Sequence, residues 1–438
     1  MQTKRYFGTD GVRARMGSDT ICPEFLLKLG YAVGLILSES MSAPTVLIGR
    51  DTRESGELLQ SALQAGLLSA GANVIALGVL PTPVVAFFTQ QLRANAGIVI
   101  SASHNTYEDN GVKLIGQDGL KLSDEWELRV EKKIMDMTRC EIAKRIGRLS
   151  FLSDAEAQYV AHCKKLFERL SLERMKIVLD CANGASSFVA PTVFRAFHAE
   201  VIDIHVTPNG VNINERCGAT DTTALRQKVL QEKADCGLAL DGDGDRLIMI
   251  DHCGELVDGD EILCILAMHS EHAAVVGTLM SNLGLEKAIQ SRGMQFERVA
   301  VGDRYVLSKL QENNWRLGGE SSGHIVNLDY ATTGDGVLTG LQILQIMQRE
   351  KKSLQQLKNS MQKRPQVLIN VPVKDVSQFS MMHALQKAAK TLEEKLGEAG
   401  RVLLRPSGTE SCIRVMVECD DATEARAHAE MLASQVNT

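Results

Sequence analysis

Aromatic side chains are scarce, at 4% of 438 residues. So few ring faces argue against a stacking platform along single-stranded nucleic acid. No block of basic residues occurs and the net charge is -6, which also argues against binding by phosphate neutralisation. No apolar run approaches the ~20 residues of a membrane span. The stretch MQTKRYFGTDG has cations but no apolar segment behind them, unlike a secretory signal. Ten cysteines are scattered with no C-x-x-C pair, the pattern of reduced, mostly buried thiols. His269 and His272 in HSEH have helical spacing but read as a solvated face rather than a metal pair. These absences describe a soluble cytoplasmic protein whose partner is neither nucleic acid nor membrane.

What is present is an ordinary globular balance, 44% hydrophobic and 23% charged, in a chain long enough for about three domains. Short Val/Ile/Leu runs alternate with longer helical patterns, the signature of α/β domains with largely parallel sheets. The pattern repeats three times. TVLIGRDTRESG, MKIVLDCANGASS and GTLMSNLGLEKAI each read as a strand, a small polar turn and a helix start. Each is followed by a further strand whose loop is rich in reactive groups: GIVISASHN, CGLALDGDGDR and WRLGGESSGH. This predicts three related α/β domains, each offering a loop at a strand's C-terminal end, where open parallel sheets bind ligands. A smaller α+β domain follows, with a helix over Met382 to Leu396, two strands around RPSGTE, and a last helix capped near Asp421 to Thr423. Pro365 marks the hinge before it, and the predicted units are 1–152, 153–254, 255–366 and 367–438.

The loops carry the chemistry. In LDGDGDR, Asp241, Asp243 and Asp245 share one face of an extended chain, and Gly242 and Gly244 let the backbone curl until the carboxylates converge. Such a group repels itself unless a hard cation such as Mg²⁺ sits among its oxygens. An EF-hand would need Gly and Glu where Arg246 and His252 stand. In RPSGTE, Arg405, Ser407, Gly408 and Thr409, with Arg414 beyond, offer the hydroxyls, backbone N–H groups and guanidiniums of a phosphate cradle, in a turn that would equally serve a simple hairpin. GGESSGH, which standing alone reads as a solvated Gly/Ser turn, offers Glu320 and Ser322 as hydrogen-bonding groups for sugar hydroxyls and His324 as a donor. Arg13, Arg50 and Arg53 are candidates for stabilising phosphoryl charge.

Ser103 stands beside His104 with Lys113 ten residues on, and either partner can shuttle a proton or clamp a phosphate. A G-x-S-x-G elbow is absent. With an acidic cluster and a phosphate cradle also present, Ser103 reads as a phosphoryl acceptor rather than an acyl nucleophile.

The ordered set FGTDGVR, GRDTRESG, SASHN with DNGVK, LDGDGDR, GGESSGH and RPSGTE resembles the α-D-phosphohexomutases over essentially the whole chain. MSNLGLE and TTGDG favour the amino-sugar branch over the phosphomannomutase/phosphoglucomutase branch. The resemblance implies four domains around a central cleft and interconversion of 6-phospho and 1-phospho sugars. It makes Ser103 the phosphorylated serine and Asp241, Asp243 and Asp245, with the phosphoserine, the ligands of one Mg²⁺. Arg246 follows beside the site. Arg13, His104 and Lys113 fall to phosphoryl stabilisation or acid/base work. Glu320, Ser322 and His324 fall to the sugar, and Arg405, Ser407, Gly408, Thr409 and Arg414 to its phosphate. A homodimer is also implied. Thr106, Ala14 and Ser411 depart from the family pattern beside contact positions. A Mg²⁺ phosphatase using Asp241 as nucleophile and a non-catalytic sugar-phosphate sensor are the competing readings.

Overall fold

The computed structural model describes residues 4–8, 10–375, 379, 382–406 and 411–436. Four sheets follow one another along the chain. The first holds β1 (Val12–Arg15), β2 (Thr45–Arg50), β3 (Asn73–Val79), β4 (Ala96–Ile100), β5 (Asp109–Gly116) and β6 (Leu149–Phe151) in the order β1-β5-β4-β2-β3-β6. The second holds β7 (Lys176–Asp180), β8 (Glu200–Ile204), β9 (Cys236–Leu240), β10 (Leu247–Asp251) and β11 (Leu256–Val257) in the order β11-β10-β9-β7-β8. The third holds β12 (Ala274–Thr278), β13 (Gln295–Val299), β14 (Leu317–Gly319) and β15 (Ile325–Asn327) in the order β13-β12-β14-β15.

The repeat in the sequence is therefore a repeat of topology. β5-β4-β2-β3, β10-β9-β7-β8 and β15-β14-β12-β13 are the same four-strand unit. In each, three strands are parallel, and the fourth returns antiparallel to its predecessor. The sheets are thus largely parallel, as expected, with an antiparallel return in each that the sequence pattern does not announce. The reactive loops are tips between antiparallel neighbours, closed by the pairs Ile100↔Val112, Leu240↔Leu247 and Gly319↔Ile325. The central strands β4 and β9 are buried along their whole length, which explains why AGIVI and CGLAL read as continuous apolar runs rather than alternating ones.

The fourth sheet, β16 (Gln366–Pro372), β17 (Arg401–Pro406) and β18 (Cys412–Glu418), is antiparallel in the order β16-β18-β17. The helices His383–Leu396 and Ala422–Ser434 accompany it. Asp421 caps the second, accepting from the Thr423 and Glu424 amides at 2.8 and 2.9 Å. One apolar cluster runs from Leu47 and Phe88 through Phe194 and Leu238 to Val275 and Leu344, spanning the first three units. The last unit has its own core around Leu385, Val415 and Leu432.

Candidate active site

The aspartate loop sits where three units meet, and each unit fixes one of its carbonyls. Ala185 N–H donates to Gly242 O at 2.8 Å, Thr82 N–H to Asp243 O at 2.9 Å, and Gly336 N–H to Gly244 O at 3.0 Å. Gly242 and Gly244 are needed sterically. A Cβ on Gly242 would lie 2.6 Å from both Ser103 O and Asn214 Nδ2. Gly244 has φ +73°, a conformation that side chains avoid.

Asp241, Asp243 and Asp245 are all buried, with one oxygen of each within 4.8 Å of the others. Asp243 Oδ2 accepts from Thr82 Oγ1 at 2.6 Å and from Lys113 Nζ at 2.8 Å, and Asp245 Oδ2 accepts from Lys113 at 3.0 Å. Asp243 Oδ1 and Asp245 Oδ1 are buried without a hydrogen-bond partner. Leaving such atoms dry costs about 1–3 kcal/mol each or more. Two carboxylate oxygens without hydrogen-bond partners, in a group of three carboxylates this close, fit a hard divalent cation. Burial, then the neighbouring Asp245 and Asp243, pushes the Asp241 carboxyl well above the usual range, against smaller opposing effects of Arg246 and the Ser103 hydroxyl.

Ser103 follows β4 and is 1% exposed. Its hydroxyl donates to Asp241 Oδ2 at 2.7 Å and lies 3.4 Å from His104 Nδ1. The backbone adopts φ +52° there and is held from several sides. Ser103 N–H donates to Ser101 Oγ at 2.9 Å, while Ser103 O accepts from Asn214 Nδ2 at 2.9 Å and Arg53 Nη2 at 3.1 Å.

Arg53 is fully buried, bound to Asp51 at 2.8 Å and to the carbonyls of Ser103, Asn105, Thr106 and Asp109. It cannot also reach a phosphoryl group, so the sequence expectation for it is corrected: it shapes the loop. Arg50 is likewise engaged, by Glu57 at 2.7 Å and the Asp51 carbonyl at 3.3 Å.

Arg13 reaches Asp10, and its Nε is buried without a partner. Arg246 Nε is also without one, 3.9 Å from Asp245 and 4.0 Å from Asp241. Lys113 is buried among Asp10, Asp243 and Asp245 at 3.2, 2.8 and 3.0 Å. Burial opposes its charge, but those three carboxylates outweigh it and hold the ammonium well above its ordinary pKa. His104 goes the other way, lowered to about 4 by burial and then by Arg246 and Arg13. The site thus holds a fixed cation in Lys113, among the carboxylates, and a neutral imidazole in His104, beside Ser103.

Glu320 is buried and accepts from Gly302 N–H at 3.0 Å, and Ser322 is exposed. His324 is buried, with Nδ1 3.6 Å from Asp245 and Nε2 accepting from Gly334 N–H at 3.3 Å. That contact places His324 behind the aspartate cluster. Arg405 and Arg414 face each other across β17 and β18. Two neighbouring guanidiniums disfavour one another, and burial followed by Arg414 lowers the Arg405 pKa, an arrangement that an anion relieves. Ser407, Gly408 and Thr409 lie outside the described residues.

Sequence reasoning missed Asn214, Thr82 and Lys121, all within the polar frame of the site. Lys121 binds Asp10 at 2.8 Å. Each lies in a stretch without a motif-like arrangement, and only the folded contacts identify them.

A fold of three such units and a smaller fourth one, with a serine held against an acidic cluster, defines a phosphoryl-transfer enzyme of the phosphohexomutase type. Four family models match the chain in order: phosphoglucomutase/phosphomannomutase alpha/beta/alpha domain I over 4–139, domain II over 157–254, domain III over 258–364, and the C-terminal domain over 368–435. The chain belongs to this family. Within it, the chain is 54% identical to a phosphoglucosamine mutase of Coxiella burnetii over 440 residues, covering 99% of this chain and 98% of that protein. It is 50% identical to the phosphoglucosamine mutase of Actinobacillus succinogenes, covering 100% and 99%. Among solved structures, a family protein of Burkholderia thailandensis matches with TM-score 0.82 at 24% identity, covering 97% of each chain. The N-acetylphosphoglucosamine mutase of Aspergillus fumigatus, solved with GlcNAc-6P and magnesium, matches with TM-score 0.67 at 18% identity, covering 99% of this chain and 96% of that one.

Proposed function

We propose that this enzyme interconverts glucosamine 6-phosphate and glucosamine 1-phosphate through a phosphorylated Ser103. The observation that carries the reading is the Ser103 hydroxyl at 2.7 Å from Asp241 within a buried three-aspartate cluster. The full-length likeness to phosphoglucosamine mutases supports the choice of sugar.

Phospho-Ser103 gives its phosphoryl group to O1 of the 6-phospho sugar. The P–Oγ bond breaks, a P–O1 bond forms, and the O1 proton passes to His104, which lies beside Ser103 Oγ. The resulting 1,6-bisphosphate turns over in the cleft; its P–O6 bond breaks as a P–Oγ bond reforms at Ser103, the proton held by His104 passes to O6, and the 1-phosphate leaves. Lys113, Arg13 and Arg246 hold the transferring charge. Glu320, Ser322 and His324 belong to the sugar side, with His324 acting through Asp245. Arg405 and Arg414, with Ser407, Gly408 and Thr409, hold the phosphate that is not reacting. Asp241, Asp243, Asp245 and the phosphoserine would hold Mg²⁺, which when bound neutralises the phosphoryl oxygens. The product feeds UDP-N-acetylglucosamine and peptidoglycan precursors, as expected of a cytoplasmic enzyme. A homodimer completes the reading. Exposed Ile142, Ile146 and Phe151 near the edge strand β6 support it, and light scattering of the purified chain tests it.

The decisive experiment follows labelled phosphate. Acid-stable phosphoserine at Ser103, lost together with turnover in Ser103→Ala, is the expected result. An acyl phosphate on Asp241 would instead establish the phosphatase. Binding without isomerisation, unchanged in Ser103→Ala, would establish the sensor. Competition among glucosamine, glucose and mannose 6-phosphates, scored by kcat/KM, tests the sugar.

A further inference from the structure

Besides the three aspartates, one other group among the described residues brings metal-ligand atoms together: Asp180, His205 and Cys217, all within 4.8 Å of one another. Asp180 ends β7 and is fully buried, His205 directly follows β8, and Cys217 is fully buried in the loop beyond. Two strand ends and a long loop are thus gathered at one point. Asp180 Oδ1 accepts from Ala182 N–H at 2.9 Å, and Oδ2 faces His205 Nδ1 at 3.0 Å. The backbone around the group is bent to bring it together. Ala182, Asn183, His205, Asn214 and Arg216 all take positive φ without being glycine. Asn183 N–H donates to His205 O at 2.7 Å, and Asn214 N–H to Ala182 O at 2.9 Å.

We infer that Asp180, His205 and Cys217 form a second metal site, selective for Zn²⁺ and chemically distinct from the all-carboxylate cluster of the active site. One carboxylate, one imidazole and one thiolate are the donor types of tetrahedral zinc, and thiolate excludes Mg²⁺ as the preferred ion. Two anionic ligands balance the divalent charge. His205 is the partly exposed member, with 29% of its side chain accessible, so water can approach the fourth position from its side. On binding, the Cys217 sulfur exchanges its proton for the metal, and that proton goes to solvent.

The place of the site gives it a consequence. Asn214, on the loop that ends at Cys217, donates to the carbonyls of Ser103 at 2.9 Å and Asn105 at 2.8 Å. Asn183, beside Asp180, accepts from Thr52 of the first unit at 2.6 Å. A metal here ties the second unit to the back of the serine loop. It is a structural staple rather than part of the reaction.

The test uses the full-length protein and Co²⁺ as a spectroscopic probe. Co²⁺ bound to a thiolate gives a near-ultraviolet charge-transfer band that a carboxylate-only site does not. The expected result is such a band saturating at one equivalent, displaced by Zn²⁺ and absent from Cys217→Ser. His205→Gln, which keeps the thiol, should weaken Zn²⁺ binding by roughly tenfold or more. Circular dichroism and retained mutase turnover would show both variants folded. No band in the wild-type protein overturns the site, and so does a band that survives Cys217→Ser.

Discussion

At the scale of the residue, the serine loop shows how a side chain can be read correctly in kind and wrongly in role. Ser103 and the aspartates were legible because their chemistry is carried by consecutive residues. Arg53 was visible as a cation near the site, but no spacing rule reveals that its guanidinium faces the carbonyls of four neighbours. Asn214 was not legible at all, since it acts across 111 residues of chain. Its role predicts that Asn214→Ala lowers kcat by roughly tenfold with little change in KM, because Ser103 O loses a neutral hydrogen bond of about 1 kcal/mol and the loop loses its register. Steady-state kinetics checks this, and a change confined to KM would contradict it. Thr106 is exposed and contributes its carbonyl to Arg53. Proline retains that carbonyl, so Thr106→Pro should keep activity. Complete loss of turnover would mean that the loop needs the conformational freedom proline removes.

At the scale of the element, the repeated unit places chemistry by a single device: a buried parallel strand, a loop, and an antiparallel return. The three-fold repeat was readable because apolar strands and polar turns recur at similar spacing. The antiparallel return was not. LIMID is an apolar run up to Asp251 as CGLAL is throughout, and both strands are buried, so the sequence pattern carries no sign of direction. The tightness of the aspartate tip is also invisible until the units are assembled. It predicts that Gly242→Ala is damaging, where Gly→Ala in an open helix interior ordinarily stabilises. Its methyl would need the space of Ser103 O and Asn214 Nδ2, each 2.6 Å away. The Ser103 hydroxyl must then move off Asp241, and a displacement near 1 Å costs on the order of 100-fold in rate. Turnover should fall by about that factor while the fold remains cooperative by calorimetry. Wild-type turnover would show that the tip is softer than its packing implies.

At the scale of the molecule, three units share a core and the fourth has its own, so the joint between the third and fourth sets where Arg405 and Arg414 stand relative to the other units. MSNLGLE, legible both as a turn entering a helix and as a tag of family resemblance, lies at that joint. Asn282 caps the helix Leu283–Ser291 and exchanges hydrogen bonds of 2.9 Å with Arg364, while Leu283 N–H donates to Glu418 at 2.7 Å. Arg401 reaches back from β17 to the carbonyls of Leu279 and Ser281, both at 2.9 Å. Beneath them Asp260 accepts from Asn282 N–H at 2.8 Å through one oxygen, and its other oxygen is buried without a partner. Burial, then the nearby Asp258, raises the Asp260 pKa to about 7, against smaller opposing effects from the Asn282 amide, Ser281 and Lys363. Because the folded value lies above the unfolded one, the native state binds this proton more tightly. Its contribution is therefore fully present below about pH 4, declines as pH rises toward 7, and is lost above that. The whole span corresponds to on the order of 4 kcal/mol. Asp260→Asn keeps an acceptor for the Asn282 amide and removes the titration. The variant should match the wild type in thermal stability near pH 4 and exceed it by several degrees at pH 8. A variant less stable than wild type at pH 8 would show that the carboxylate is stabilised in the joint rather than tolerated there.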